Sequence, residues 1–190
     1  MRGQHGADRE PEAPVLTGTT MFRLVDTAVV EAEPALVERV LLDPGCLRRW
    51  NPIPEQNYRV STAVLQLGTS IESTVRVGPF RFSFVNIVSD HVPGRRLGMR
   101  TTKGVVDLLV TITWEQVEGG TRIEKVVDGR FTESKAWLRR LLEPAARRSA
   151  RNALEALRRL IETGDYEFTA PSQLTPHPPR CPLESPPDFF

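Results

Sequence analysis

Cysteine, histidine and tyrosine are all scarce in this chain of 190 residues, and each scarcity removes a class of chemistry. The two cysteines, Cys46 and Cys181, are too few for a disulfide framework, so a reducing, cytosolic setting is expected. Of the three histidines, His5 and His177 stand near the ends and only His91 lies mid-chain. No Cys/His cluster therefore has metal-ligand spacing. A nucleophilic triad would have to use His91, which stands before a Pro-Gly turn and reads as a solvated turn residue. Glycine-rich phosphate loops are absent as well, since Gly78-Pro79, Pro93-Gly94 and Gly119-Gly120 are hairpin punctuation. Neither a metal nor a cofactor is expected.

Charge excess is missing too. The 25 Lys and Arg balance 24 Asp and Glu, a net +1 that argues against binding nucleic acid. Arg140, Arg147, Arg151 and Arg158 fall on one stripe of a predicted helix, but Glu143, Glu155 and Glu162 are interspersed and the stripe reads as a solvated face. An acyl carrier protein is the acidic partner such a face leaves open. Apolar runs extend only a few residues, as in Leu108-Leu109-Val110, so no membrane span is expected. The N-terminus has no apolar stretch of secretory-signal type.

What is present is a period of two. Residues 1–19 are polar and unpatterned, and residues 167–190 hold seven prolines, so both ends are expected to be disordered tails around a domain of residues 20–166. Met21–Glu31 reads as a strand. Pro34 then opens a helix carrying Leu36, Val37, Val40 and Leu41, Asp43-Pro44-Gly45 stops it, and a second short helix runs through Leu47 to Trp50. Tyr58–Leu65, Thr69–Val77, Phe80–Val88, Arg95–Thr101, Val105–Val117 and Thr121–Phe131 read as six further strands. Ser134–Thr163 is a long helix with an apolar face, Ser134 as N-cap, Gly164 as stop and Pro144 as an expected kink. The fold class is α+β: a seven-stranded curved antiparallel sheet wrapped around a long C-terminal helix, with two short helices after the first strand.

Strand parity selects the inward residues. Phe82, Phe84 and Asn86 share a face, as do Val110, Ile112 and Trp114, and Leu97 pairs with Met99. With Trp50, Trp137 and Leu141 these form an apolar, aromatic lining suited to a small molecule, although the same pattern also suits a solid core. Three polar residues share the inward parity: Asp26, Asn86 and Lys125. They are the candidate acid/base groups. If the first and last strands pair, Asp26 and Lys125 meet as a partly buried ion pair, and removing either partner strands the other; a bulge would instead place both in solvent.

The order Val30-Glu31-Ala32-Glu33-Pro34-Ala35-Leu36-Val37, Leu42-Asp43, Trp50-Asn51-Pro52, Val92-Pro93-Gly94-Arg95-Arg96-Leu97 and Gly119-Gly120-Thr121-Arg122-Ile123, closed by a helix with an internal proline, resembles the START-like (SRPBCC) superfamily and its polyketide cyclase/dehydratase branch. The resemblance covers about residues 21–163 and implies a helix-grip fold with a cavity between sheet and helix. It implies a hydrophobic small molecule as ligand and hands over no catalytic residue. Binding is expected; a cyclase or dehydratase acting on the held ligand is the alternative. Tyr58, with Tyr166 at the domain edge, leaves few proton donors for the latter.

Overall fold

The alternating segments become strands and the 3.6-residue segments become helices in the computed structural model, which describes residues 20–51, 57–131 and 139–168. In chain order these are β1 (Thr20–Val30), α1 (Pro34–Leu42), α2 (Pro44–Trp50), β2 (Asn57–Val60), β3 (Ser70–Val77), β4 (Phe80–Val92), β5 (Arg96–Lys103), β6 (Asp107–Val117), β7 (Gly120–Phe131) and α3 (Arg139–Thr163). The strands form one sheet in the order β1-β7-β6-β5-β4-β3-β2, with every neighbouring pair antiparallel. Among the described strands only the β1–β7 pairing joins distant parts of the chain, and it runs unbroken from Thr20↔Phe131 to Val30↔Thr121. No helix among the described residues is long and apolar enough to cross a membrane.

The helix α3 is close to β1 and β7 and also reaches β3, strands from opposite parts of the sheet. A sheet must curve for one helix to approach both, and the result is the helix-grip arrangement. Val37, Val40 and Leu41 of α1 and Cys46, Leu47 and Trp50 of α2 are buried, so the two short helices plug one end of the grip. Gly164, at φ 65°, stops α3 in the left-handed conformation that favours glycine. Pro144 lies within α3 on its exposed side, and Ser134 lies outside the described residues.

Several boundaries differ from the sequence expectation, each for a local reason. The second helix starts at Pro44, because Asp43 both ends α1 and caps α2: its Oδ1 accepts from Gly45 N at 2.7 Å and Cys46 N at 2.9 Å. The strand expected over Tyr58–Leu65 ends at Val60. Beyond it the chain leaves the sheet, and Leu65 turns inward, 1% exposed, while its N–H donates to the Leu42 carbonyl at 2.8 Å. The fourth strand continues to Val92 through a register shift between Val88 and Asp90. Such an irregularity inverts parity. His91 consequently becomes the partner of inward-facing Leu97 and meets Glu38 of α1 at 3.3 Å, with Gly94 N–H donating to the same carboxylate. The expected solvated turn histidine is a half-buried strand residue that ties the β4–β5 turn to α1.

Past Gly164, Tyr166 and Phe168 fold back onto the core, their rings 5.1 Å apart, with the Arg39 guanidinium 4.3 Å from the Phe168 ring. A chain of residues 20–168 is therefore expected to melt within a few degrees of the full chain, and one cut before Phe168 to melt lower. Thermal unfolding of the three lengths checks this; equal melting of the two truncated chains would show that the Arg39–Phe168 contact contributes nothing.

Candidate functional site

The interior is built from two apolar clusters rather than one. The first joins α1, α2 and the C-terminal half of α3 to Val30, Ile71, Val88, Leu97, Ile112, Trp114 and Ile123. The second joins Leu142 and Ala150 of α3 to Phe22, Leu24, Phe82, Phe84, Val106, Val127 and Phe131. In the second cluster Phe22 lies against Gly129, its register partner, where any β-carbon would meet the ring at 2.2 Å. Half-buried Val110 alone packs against both clusters among the described residues.

Where each strand crosses from one cluster to the other, the inward residue is polar or incompletely covered. Lys125 stands between Ile123 and Val127, Asp26 between Leu24 and Ala28, Asn86 between Phe84 and Val88, and Ser73 between Ile71 and Val75. Burying polar groups across the middle of a core is unfavourable unless each finds a partner. Asn86 does: the Thr101 hydroxyl donates to its Oδ1 at 2.7 Å, from the directly opposed position on β5. Thr101 was overlooked in the sequence, although it shares the inward parity of Leu97 and Met99.

Lys125 does not find such a partner. It is 6% exposed, and its Cα is the register partner of Asp26. The expected solvent placement by a bulge is excluded for Lys125, because the β1–β7 ladder has none. The expected ion pair does not close either: the side chains of Lys125 and half-buried Asp26 form no hydrogen bond or salt bridge with each other, and Lys125 forms none with any described residue. Its Nζ instead lies 5.7 Å from the centre of the Trp50 ring, within cation–π range. Burial pulls the ammonium from 10.5 down to about 8, and the Asp26 carboxylate pushes back only in part.

Trp50 and Trp114 complete this wall, 1% and 2% exposed. Both indole Nε1–H groups are buried and meet no acceptor among the described residues. Trp114 is the register partner of Ile123, two residues from Lys125 on the same face, and Ile112 is the partner of Lys125 itself. Strand parity identified Trp114 as apolar lining, and Trp50 was expected there from the end of the second helix; that their donors are unsatisfied has no sequence signal. Phe82, Phe84 and Ile112 are buried, and Met99 and Val110 are half-buried. Trp137 and the Leu141 side chain lie outside the described residues.

Elsewhere the chemistry is sparse. No group of three or more His, Cys, Asp or Glu among the described residues is arranged to hold a metal. Cys46 is buried under α2, and that burial, with Asp43 beside it, pushes its thiol up to about 11. The outer face of α3 is solvated, with Arg147 paired to Glu143 and Arg158 and Arg159 to Glu155.

A family model described as polyketide cyclase / dehydrase and lipid transport matches residues 21–162. Among solved structures, an aromatase/cyclase from Streptomyces sp. R1128 superposes with a TM-score of 0.62 at 19% identity, covering 77% of this chain and 97% of that one. A protein from Chromobacterium violaceum gives 0.55 at 22% identity, covering 76% and 99%. One from Thermus thermophilus gives 0.58 at 14% identity, covering 77% and 100%. At these identities the structures share the fold. Comparison with curated proteins gives no match.

The buried ammonium has a measurable consequence for stability. Between pH 8 and 10.5 the unfolded chain holds a proton on Lys125 that the folded chain has released, so the Lys125 contribution to stability rises with pH through this window. The full effect is on the order of 3 kcal/mol. Cys46 acts oppositely between 9 and about 11 and cancels when two variants are compared. Lys125→Met should accordingly be more stable than the parent near neutral pH, reversing the loss expected for a closed ion pair. The advantage should fade by about pH 11, and urea unfolding at several pH values checks it.

Proposed function

Since the chain belongs to the polyketide cyclase / dehydrase and lipid transport family, we propose that it binds one apolar small molecule, lipid- or polyketide-like, between the inner face of the sheet and α3. The observation that carries this reading is the division of the interior into two apolar clusters packed against a common, half-buried Val110. A domain folded only for stability gains from one continuous core, since continuous packing adds dispersion contacts and buries more apolar area. The side chains where the two clusters meet would form the ligand wall: apolar Met99 and Val110, aromatic Phe84, and the amide of Asn86 held in one orientation by Thr101. A few fixed polar groups in an apolar surround orient a ligand without demanding chemistry of it.

A second reading has one specific observation in its favour. Lys125, with its ammonium near 8, exchanges protons close to neutral pH, as a general acid or base must. On that reading the domain is a cyclase or dehydratase, Asp26, Asn86 and Lys125 are its catalytic candidates, and an acyl carrier protein would meet Arg140, Arg148 and Arg151, which are exposed on α3. The similar Streptomyces protein is described as an aromatase/cyclase. Binding is the better supported reading, because no second proton donor accompanies Lys125 in a hydrogen-bonded pair.

An environment-sensitive apolar dye should bind near one equivalent, and Val110→Trp should reduce its affinity by about tenfold or more. In a filled core the added ring would cost roughly 1–3 kcal/mol or more of stability; in a ligand space it should cost less while blocking the dye. A cooperatively folded parent that takes up no dye would overturn the reading. Ligand recovered after incubation should be unchanged by mass spectrometry, whereas loss of water would favour the dehydratase.

A further inference from the structure

We propose that the ligand is an amphiphile bearing a carboxylate, and that Lys125, beneath the Trp50 ring and on the same sheet face as Trp114, is the receptor for that headgroup. The proposal rests on the ligand-binding reading above and adds the chemical class of the ligand. Its foundation is an imbalance of donors and acceptors in one part of the interior. Lys125 brings three N–H donors, 6% exposed and without a hydrogen-bond partner among the described residues. Trp50 and Trp114 each bring one more, both fully buried and both unpaired. Every unpaired buried group of this wall is a donor, and the half-buried Asp26 carboxylate accepts from none of them. What these donors lack is an acceptor bonded to them, and a ligand carboxylate offers two oxygens with room for about four such bonds.

The placement of Asp26 fits this assignment better than it fits a structural salt bridge. Directly opposite Lys125 across the β1–β7 ladder, it favours the charged lysine through space while leaving all three ammonium donors free. A lysine kept only for packing could be replaced by methionine with the same stem and no desolvation cost. Retaining an ammonium here has a purpose if an anion from outside completes it. The Trp50 ring, 5.7 Å from Nζ, covers one side of the ammonium and restricts the directions from which an anion can arrive. The apolar clusters on either side accept the body of the ligand, so one molecule can satisfy both halves of the site. Headgroup bonds made in a dry surround are charge-assisted and shorter than neutral ones.

The test uses the full chain and two probes of equal length, cis-parinaric acid and its methyl ester, titrated by fluorescence near neutral pH. The acid should bind about tenfold or more tightly than the ester, the range expected for hydrogen bonds to a charged group. Lys125→Met should bring the acid down to about the level of the ester, with a much smaller change for the ester. Trp114→Phe and Trp50→Phe, which keep a ring and delete the donor, should each weaken the acid about two- to fivefold and the ester less. Equal binding of acid and ester to the parent chain overturns the headgroup assignment and leaves the ligand-binding reading intact. A preference for acid that survives in Lys125→Met overturns it too, since the selectivity would then reside elsewhere. Failure of both probes to bind the folded parent overturns both readings together.

Discussion

A cation held inside an apolar interior without a closed ion pair is the constraint around which this fold is arranged. Lys125 can be buried only because β1 and β7 pair without a bulge, which sets Asp26 opposite it, and because α2 brings Trp50 over its end. Shift the β1–β7 register by one residue and the alternation turns Lys125 to solvent and Glu124 inward. The same shift would expel Ile123 and Val127, so the apolar clusters and the position of the charge are fixed by one set of backbone hydrogen bonds.

The short helices and α3 serve different ends of that interior. The α1–α2 pair closes the first cluster, and its attachments are polar and local: Asp43 joins the two helices, Glu38 holds the β4–β5 turn, and Leu65 reaches the Leu42 carbonyl. The helix α3 crosses both clusters, with Leu142 and Ala150 in one and Leu154, Leu157 and Leu160 in the other. Each cluster is thus well covered, and the polar residues lie in the band between them. Stability and a place for a ligand are met by different residues of the same strands. The buried ammonium is where they conflict, since the side chain that would recognise a ligand is also one that the ligand-free fold would be more stable without.

The fold was legible because its signals are periodic. The seven strands, the two short helices and the long helix all follow from alternation and helical spacing, and inward parity correctly singled out Lys125, which is buried despite its charge. Misplaced features were those set by tertiary contacts. The end of β2 is set by Leu65 seeking the α1–α2 junction, and the inward turn of His91 depends on a shift in register that no residue type announces. The parity argument paired Asp26 with Lys125 but could not supply the distance between their charged ends. Nor could it reveal that two tryptophan donors go unsatisfied, because satisfaction depends on where every neighbouring acceptor points. Thr101 is the instructive omission: inward threonines pass as strand formers, and its bond to Asn86 appears only when β4 and β5 are set in register.

The central claim, that a small molecule enters between sheet and helix beside Lys125, is tested most directly by methyl NMR of the full chain titrated with an apolar ligand. The account predicts that the methyl signals of Met99, Val110 and Ile112 shift and saturate at one equivalent. Val25 and Val29, exposed on the outer face of β1, should stay in place. Shifts confined to Val25, Val29 or exposed Leu67, with the interior methyls unmoved, would contradict it.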